Sequence, residues 1–142
     1  MVSTEQWEVK NKARLLLSMM EALAGNARIS LEGDLRGFPL AQIEGAASEE
    51  TEGLKRSTLW PAQDFVTVPL EPTTIKTVLA AIGGNVPRRI VHIKIEKNGT
   101  VEFAAYDNFQ PGCIVFGPAV GPSLLRSLMA EDVLSRPAVS NR

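Results

Sequence analysis

The sequence is short of the side chains that most catalytic and metal sites need. Its 142 residues include one cysteine, one histidine and one tyrosine. A lone cysteine excludes an internal disulfide, and one cysteine with one histidine cannot complete a structural zinc site. No Cys-x-x-Cys or His-Glu-x-x-His spacing and no phosphate-binding glycine motif is present. We therefore predict no metal and no cofactor.

Long apolar runs and a charge excess are also missing. No stretch approaches the ~20 apolar residues that span a bilayer. The chain opens with polar residues such as Ser3, Thr4 and Glu5, unlike a signal peptide. Its formal net charge is −1, without the basic excess by which nucleic-acid binders release counterions. The sequence therefore predicts a cytoplasmic protein that binds neither membrane nor nucleic acid.

Hydrophobic periodicity predicts alternating helices and strands. A helix after Ser3 and Thr4 is expected to run to about Ala24, where Gly25 ends it. Further helices are expected after Pro72 and Pro122. Period-two alternation predicts strands at 27–34, 65–70, 90–96, 100–106 and 113–116.

This order indicates an α+β fold. We expect a single mostly antiparallel sheet of about five strands packed against three or four helices, in the order α-β-(α)-β-α-β-β-β-α. The length corresponds to one domain, which we place at residues 1–135, with a flexible C-terminal tail at 136–142.

The helix in brackets belongs to the least regular segment, residues 35–61. Ser48 precedes two glutamates, and Lys55 and Arg56 follow, which is the order of charges that a helix dipole favours. We therefore predict a short helix that starts at Ser48. Trp60, followed by proline, is expected to end it. Trp60 is also one of the aromatic residues expected to be partly exposed, where it could anchor a partner, but packing in the core is the preferred interpretation.

A β-hairpin is predicted around Lys97-Asn98-Gly99. A two-residue Asn-Gly turn would place Ile95 opposite Glu102 and mix apolar with charged side chains on each face. A three-residue loop instead pairs apolar with apolar and polar with polar side chains. The resulting pairs are Glu96 with Thr100, Ile95 with Val101, Ile93 with Phe103, Val91 with Ala105 and, as an opposite-charge pair, Lys94 with Glu102. The three-residue loop is therefore the predicted register.

This register directs one face of the hairpin to the core, namely Val91, Ile93, Ile95, Val101, Phe103 and Ala105. The second face has a mixed character. It is formed by Ile90, His92, Lys94, Glu102, Ala104 and Tyr106. His92 and Tyr106 lie within reach of each other across Ala104, so the face either binds a partner or is covered by a helix. Asp107 and Asn108 follow at a turn, where they either join that surface or satisfy the loop backbone while Phe109 packs.

Two functions from different classes fit these features. The first is a protein-binding module without catalytic activity, such as a bacterial inhibitor, antitoxin or immunity-type protein with a basic toxin as its partner. The acidic stretch that includes Glu49, Glu50 and Glu52 would face such a partner, because complementary charge speeds association. The predicted partner-binding residues are His92, Tyr106, Asp107, Asn108, Glu49, Glu50 and Glu52.

The second function is a small hydrolase or transferase. It would use His92 with Asp107 or Cys113, because neighbouring strands could bring these three side chains together. A nucleophilic thiol needs a low pKa and exposure. Cys113 instead begins the apolar run Cys-Ile-Val-Phe, and free cysteine is often buried. The binding module is therefore the preferred prediction.

Overall fold

The computed structural model describes residues 6–136, and within them the fold is α+β, as predicted. The elements in chain order are β1 Glu8–Val9, α1 Lys12–Leu23, β2 Ala27–Gly33, a 3₁₀ helix Pro39–Gln42, β3 Asp64–Leu70, α2 Ile75–Ala81, β4 Ile90–Lys97, β5 Thr100–Ala105, β6 Ile114–Phe116, α3 Pro122–Ala130 and β7 Leu134–Ser135. Five strands form an antiparallel sheet in the order β3-β2-β4-β5-β6. The predicted single sheet is wrong in one respect, because β1 and β7 form a second, two-stranded sheet.

The first helix begins later than predicted. Glu8 and Val9 pair with Ser135 and Leu134, which holds this part of the chain extended. Asn11 then caps α1, since its side chain accepts a hydrogen bond from the Arg14 amide at 3.0 Å. The predicted start after Ser3 and Thr4 falls on residues that lie outside the described range.

The helices share one core with one face of the large sheet. Alternate strand residues are buried on that face, and α1 contributes Leu15, Leu16, Met19, Met20 and Leu23, all fully buried. Strand β3 lies at the edge of the sheet, where the amide that Pro69 lacks is not needed for pairing with a further strand.

The hairpin register differs from the predicted one. Lys97 pairs with Thr100 across a two-residue turn, and a bulge in β5 then places Ile95 opposite Phe103 instead of Val101. The turn and the bulge each shift the pairing by one residue, and a total shift of two preserves the alternation of faces. The predicted core residues Ile93, Ile95, Phe103 and Ala105 are therefore buried.

The new register removes the predicted Lys94–Glu102 ion pair. Lys94 lies opposite Ala104, and the Glu102 carboxylate instead accepts a hydrogen bond from the Ala119 amide at 2.9 Å. Val101, predicted for the core, lies opposite Glu96 and is only half-buried. The favourable charge pairing that selected the three-residue loop is thus absent.

A second irregularity occurs between β2 and β4. Glu32 pairs with His92, but the next residue, Gly33, pairs with Ile90, so Val91 is an extra residue. This bulge turns Ile90 into the core, where it is fully buried, and leaves Val91 half-buried. The assignment of Ile90 to the second face is therefore wrong.

The helix predicted after Ser48 does not form. Residues 44–63, which we call the crossing loop, run without regular helix over the second face of the sheet. Trp60, predicted to pack in the core, is 87% exposed. Of the predicted tail, residues 137–142 lie outside the described range. Arg136 holds its guanidinium 4.7 Å from the centroid of the Trp7 ring.

Candidate functional site

The second face of the large sheet is polar and yet buried. Strands β2, β3 and β4 contribute six polar residues that are at most 8% exposed, namely Ser30, Glu32, Thr67, His92, Lys94 and Glu96. Alternation along β2 predicts solvent on this side. The crossing loop covers it instead, so the sheet is buried on both faces.

Glu32 binds the backbone of the crossing loop. Its two carboxylate oxygens accept hydrogen bonds from the amides of Ser57 and Thr58, at 2.8 and 3.0 Å. The side chain is 2% exposed, and a carboxylate buried to this degree requires such donors. The hydrogen bonds therefore fix the loop two residues before Trp60.

Lys94 and Glu96 hold the preceding part of the loop. Glu96 accepts hydrogen bonds from the Thr51 hydroxyl at 2.9 Å and the Gly53 amide at 3.2 Å. The Lys94 ammonium donates to the Lys55 carbonyl at 3.0 Å. Burial lowers the pKa of Lys94, while the negative charge of Glu32 opposes that shift. Successive strand side chains thus determine the path of the loop.

These contacts explain why the predicted helix is absent. A cap and a dipole interaction would each stabilise a helix by about 1 kcal/mol or less. A buried carboxylate that lost its donors would cost about 1–3 kcal/mol or more. The crossing loop provides donors for both Glu32 and Glu96, so the extended path is favoured over the helix.

His92 lies beneath the end of the crossing loop. Its Nδ1 accepts a hydrogen bond from the Asp107 amide at 3.3 Å, and its Nε2 lies 3.0 Å from the Thr58 hydroxyl oxygen. Both ring nitrogens are therefore engaged. The ring packs edge-on against Tyr106, with centroids 5.6 Å apart. His92 and Tyr106 therefore lie close together, as predicted. The crossing loop covers His92, where a helix was the expected covering element.

Tyr106 is the half-buried member of this group. The Lys94 ammonium lies 5.4 Å from the centroid of its ring, a distance at which a cation is attracted to the ring face. Burial raises the pKa of the Tyr106 phenol. The partial exposure leaves one edge of the cluster open to solvent.

Two large apolar side chains are exposed on the crossing loop. Leu59 is 80% exposed and Trp60 is 87% exposed, immediately after the backbone that Glu32 holds. Core packing was the preferred prediction for Trp60 and is wrong, whereas the alternative of an exposed aromatic residue agrees with the structure. For Leu59 the sequence led to no prediction.

The predicted acidic residues lie at the start of the crossing loop. Glu49, Glu50 and Glu52 are all exposed. Glu50 accepts a hydrogen bond from the Arg56 amide at 2.7 Å, which closes a local turn. Their role in partner binding stays a prediction. The three glutamates lie in the crossing loop, as Trp60 does, whereas the other predicted partner-binding residues lie in or next to the hairpin.

Asp107 and Asn108 lie in a left-handed turn. Asp107, Asn108 and Phe109 all have φ between 52° and 63°, which is costly for residues with a side chain. The Asn108 amide group compensates by donating to the carbonyls of Pro87 and Ile90, at 3.0 and 2.8 Å. Phe109 is buried. Asn108 thus satisfies the backbone of the loop while Phe109 packs, which is the second of the two predicted alternatives. Asp107 is exposed.

The residues of the predicted enzyme lie near one another without forming a relay. The Asp107 carboxylate is 4.0 Å from the Cys113 sulfur. His92, however, contacts Asp107 through the backbone amide, and its Nε2 faces Thr58. A histidine that activates a nucleophile needs a ring nitrogen directed at it. The hydrolase or transferase stays a prediction, and it would require displacement of Thr58.

Comparisons of the chain with protein-family models, curated proteins and solved structures each gave no significant match. Within residues 6–136, none of the helices has the length and apolar content of a membrane span. The same residues contain no group of three or more metal-ligating side chains suited to hold an ion.

Proposed function

We propose that the protein is a binding module without catalytic activity that docks a partner protein through the crossing loop. Leu59 and Trp60 are the anchors of this surface. The observation that carries the proposal is the exposure of Trp60 on a segment whose backbone is held by buried hydrogen bonds. Tryptophan is enriched among residues that dominate binding energy at protein interfaces.

Anchoring of the loop supports this role energetically. Association costs free energy whenever a flexible loop or side chain must be ordered. Here Glu32, Lys94 and Glu96 already order the loop in the unbound protein. A partner that covers Trp60 would therefore gain the burial of the indole ring with a reduced ordering cost.

Charge on the crossing loop favours a basic partner. The loop has four glutamates against one lysine and one arginine, so it is net acidic. Glu49 and Glu52 are exposed and have no hydrogen-bond partner among the described residues. A net excess of one charge steers association with a surface of opposite sign. An inhibitor, antitoxin or immunity-type protein that neutralises a basic partner such as a toxin fits these features.

Site-specific photo-crosslinking tests the proposal. A benzoylphenylalanine at position 62, an exposed alanine two residues after Trp60, should form a covalent adduct with one partner protein in the cells from which the chain derives. The same probe at Glu21, an exposed position of α1, should not form it. Equal adducts from both positions, or no adduct at position 62, would contradict docking through the crossing loop.

A further inference from the structure

A second surface lies at the free edge of strand β3. A slot of about 530 Å³ opens there between two walls. Leu35, Phe38 and Leu40 form one wall, and Ala46 and Ala47 of the crossing loop form the other. Residues 64–66 of β3 form the floor between them. The lining is mainly apolar. Asp64 is exposed at this edge of the sheet, and Phe65 is 6% exposed.

The backbone at the floor of the slot has an unpaired position. Thr67 directs its amide and carbonyl away from β2, and both are bonded to Ala47, at 2.7 and 2.9 Å. Outward-directed residues alternate along a strand, so Phe65 also directs its amide and carbonyl outward. Neither group has a partner in the described part of the chain. An edge position of this kind is a template for another strand.

The slot carries charges of both signs. Glu49 and Asp64 are exposed on the rim. Arg36, which also lines the slot, is bound to Asp34 by two hydrogen bonds of 2.8 Å. The guanidinium groups of Arg89 and Arg56 lie 4.4 and 4.9 Å from the ring centroids of Phe38 and Phe65. A ligand in the slot therefore meets an apolar lining, one free strand position and two exposed carboxylates.

We propose that the slot receives an extended segment of a partner protein. The segment adds to β3 by main-chain hydrogen bonds with Phe65, a recognised mode of peptide binding. It inserts one apolar side chain between Phe38 and Ala46 and places a lysine or arginine against Glu49 and Asp64. The proposal rests on the protein-binding role above but uses a surface separate from Leu59 and Trp60.

Selection of random linear peptides displayed on phage, against the immobilised full chain, provides the probe. Enriched sequences should combine an apolar residue with a basic neighbour. A synthetic peptide of that sequence, measured by fluorescence anisotropy, should lose about tenfold or more in affinity for Ala41→Trp, which fills the slot from an exposed position. Ala119→Trp, a substitution at another exposed alanine, should leave the affinity unchanged.

Two further measurements separate strand addition from other modes of binding. Hydrogen exchange of the Phe65 amide should be fast in the free protein and slow with the peptide bound. N-methylation of the peptide amide that faces Phe65 should abolish binding.

The proposal is wrong if no peptide is enriched, or if the peptide binds Ala41→Trp as tightly as the wild type. It is also wrong if the chain sediments as a dimer and Ala41→Trp sediments as a monomer, because a second copy of the chain would then occupy the slot. Loss of peptide binding in Trp60→Ala would assign the peptide to the anchor surface and overturn the slot. Retained binding in that variant separates the slot from the proposed function.

Discussion

The carboxylate of Glu32 accepts a hydrogen bond from the Ser57 amide at 2.8 Å. Glu32 lies on the face of the sheet that the crossing loop covers. This contact joins a strand in the middle of the sheet to the segment that exposes Trp60. Buried polar contacts contribute little net stability compared with apolar packing, but they penalise any arrangement that leaves them unpaired. We infer that the polar layer between sheet and loop selects one path for the loop.

Glu32→Gln should lower the free energy of unfolding by about 1–3 kcal/mol. The substitution replaces the charged carboxylate with a neutral amide. The NH₂ group of that amide would face one of the two backbone N–H groups that donate to the carboxylate, so one hydrogen bond would be lost. Urea denaturation measures the change. Glu21→Gln, at an exposed position of α1, should change the stability by less than about 0.5 kcal/mol. Equal effects of the two substitutions would show that the buried carboxylate does not anchor the loop.

Tyr106 should titrate above the ordinary phenol pKa of 10.0, because burial raises the pKa of this phenol. It is the only tyrosine, so ultraviolet absorbance of phenolate reports it without interference from another phenol. A raised pKa in the folded state contributes stability that is present below pH 10 and is lost as pH rises through the folded pKa. Tyr106→Phe should therefore reduce the alkaline loss of stability. A phenol midpoint at or below 10.0 in the folded protein would contradict its burial.

Gly33→Ala should be among the most destabilising single substitutions. A Cβ at this position would lie 2.1 Å from the Arg89 carbonyl oxygen, and φ is +154°. We expect a loss of about 2–4 kcal/mol, since backbone must move at the β2–β4 bulge. Thermal unfolding measures it. Gly121→Ala, where a Cβ meets nothing within 4 Å, is the control and should cost clearly less. A tolerated Gly33→Ala would show that the bulge can rearrange.

Sequence pattern predicted which residues in the middle of the hairpin enter the hydrophobic core, but not how its strands pair. The core positions of Ile93 and Phe103 depend only on alternation, and alternation survives a shift of two residues. Their pairing depends on the turn and on the bulge near Val101. The pairing energies that were used to select the register are only about 0.2–1 kcal/mol each, too small to exclude a bulge.

The crossing loop was the part of the candidate site that the sequence did not predict. Ser48 and its neighbours show a local helix signal, whereas the contacts that determine the loop come from Glu32 and Glu96 on distant strands. A period-two pattern cannot show whether a polar strand face meets water or a polar loop. The exposure of Trp60 follows from the path of that loop, which is why the local sequence could not decide between exposure and core packing for this residue.

The affinity of the crosslinked partner for the Trp60→Ala protein tests the central claim most directly. Titration calorimetry of the purified partner should show a loss of about tenfold or more relative to wild type, because indole burial would be removed. Lys76→Ala, at an exposed position of α2, should bind as the wild type does. Wild-type affinity in Trp60→Ala would contradict docking through the crossing loop.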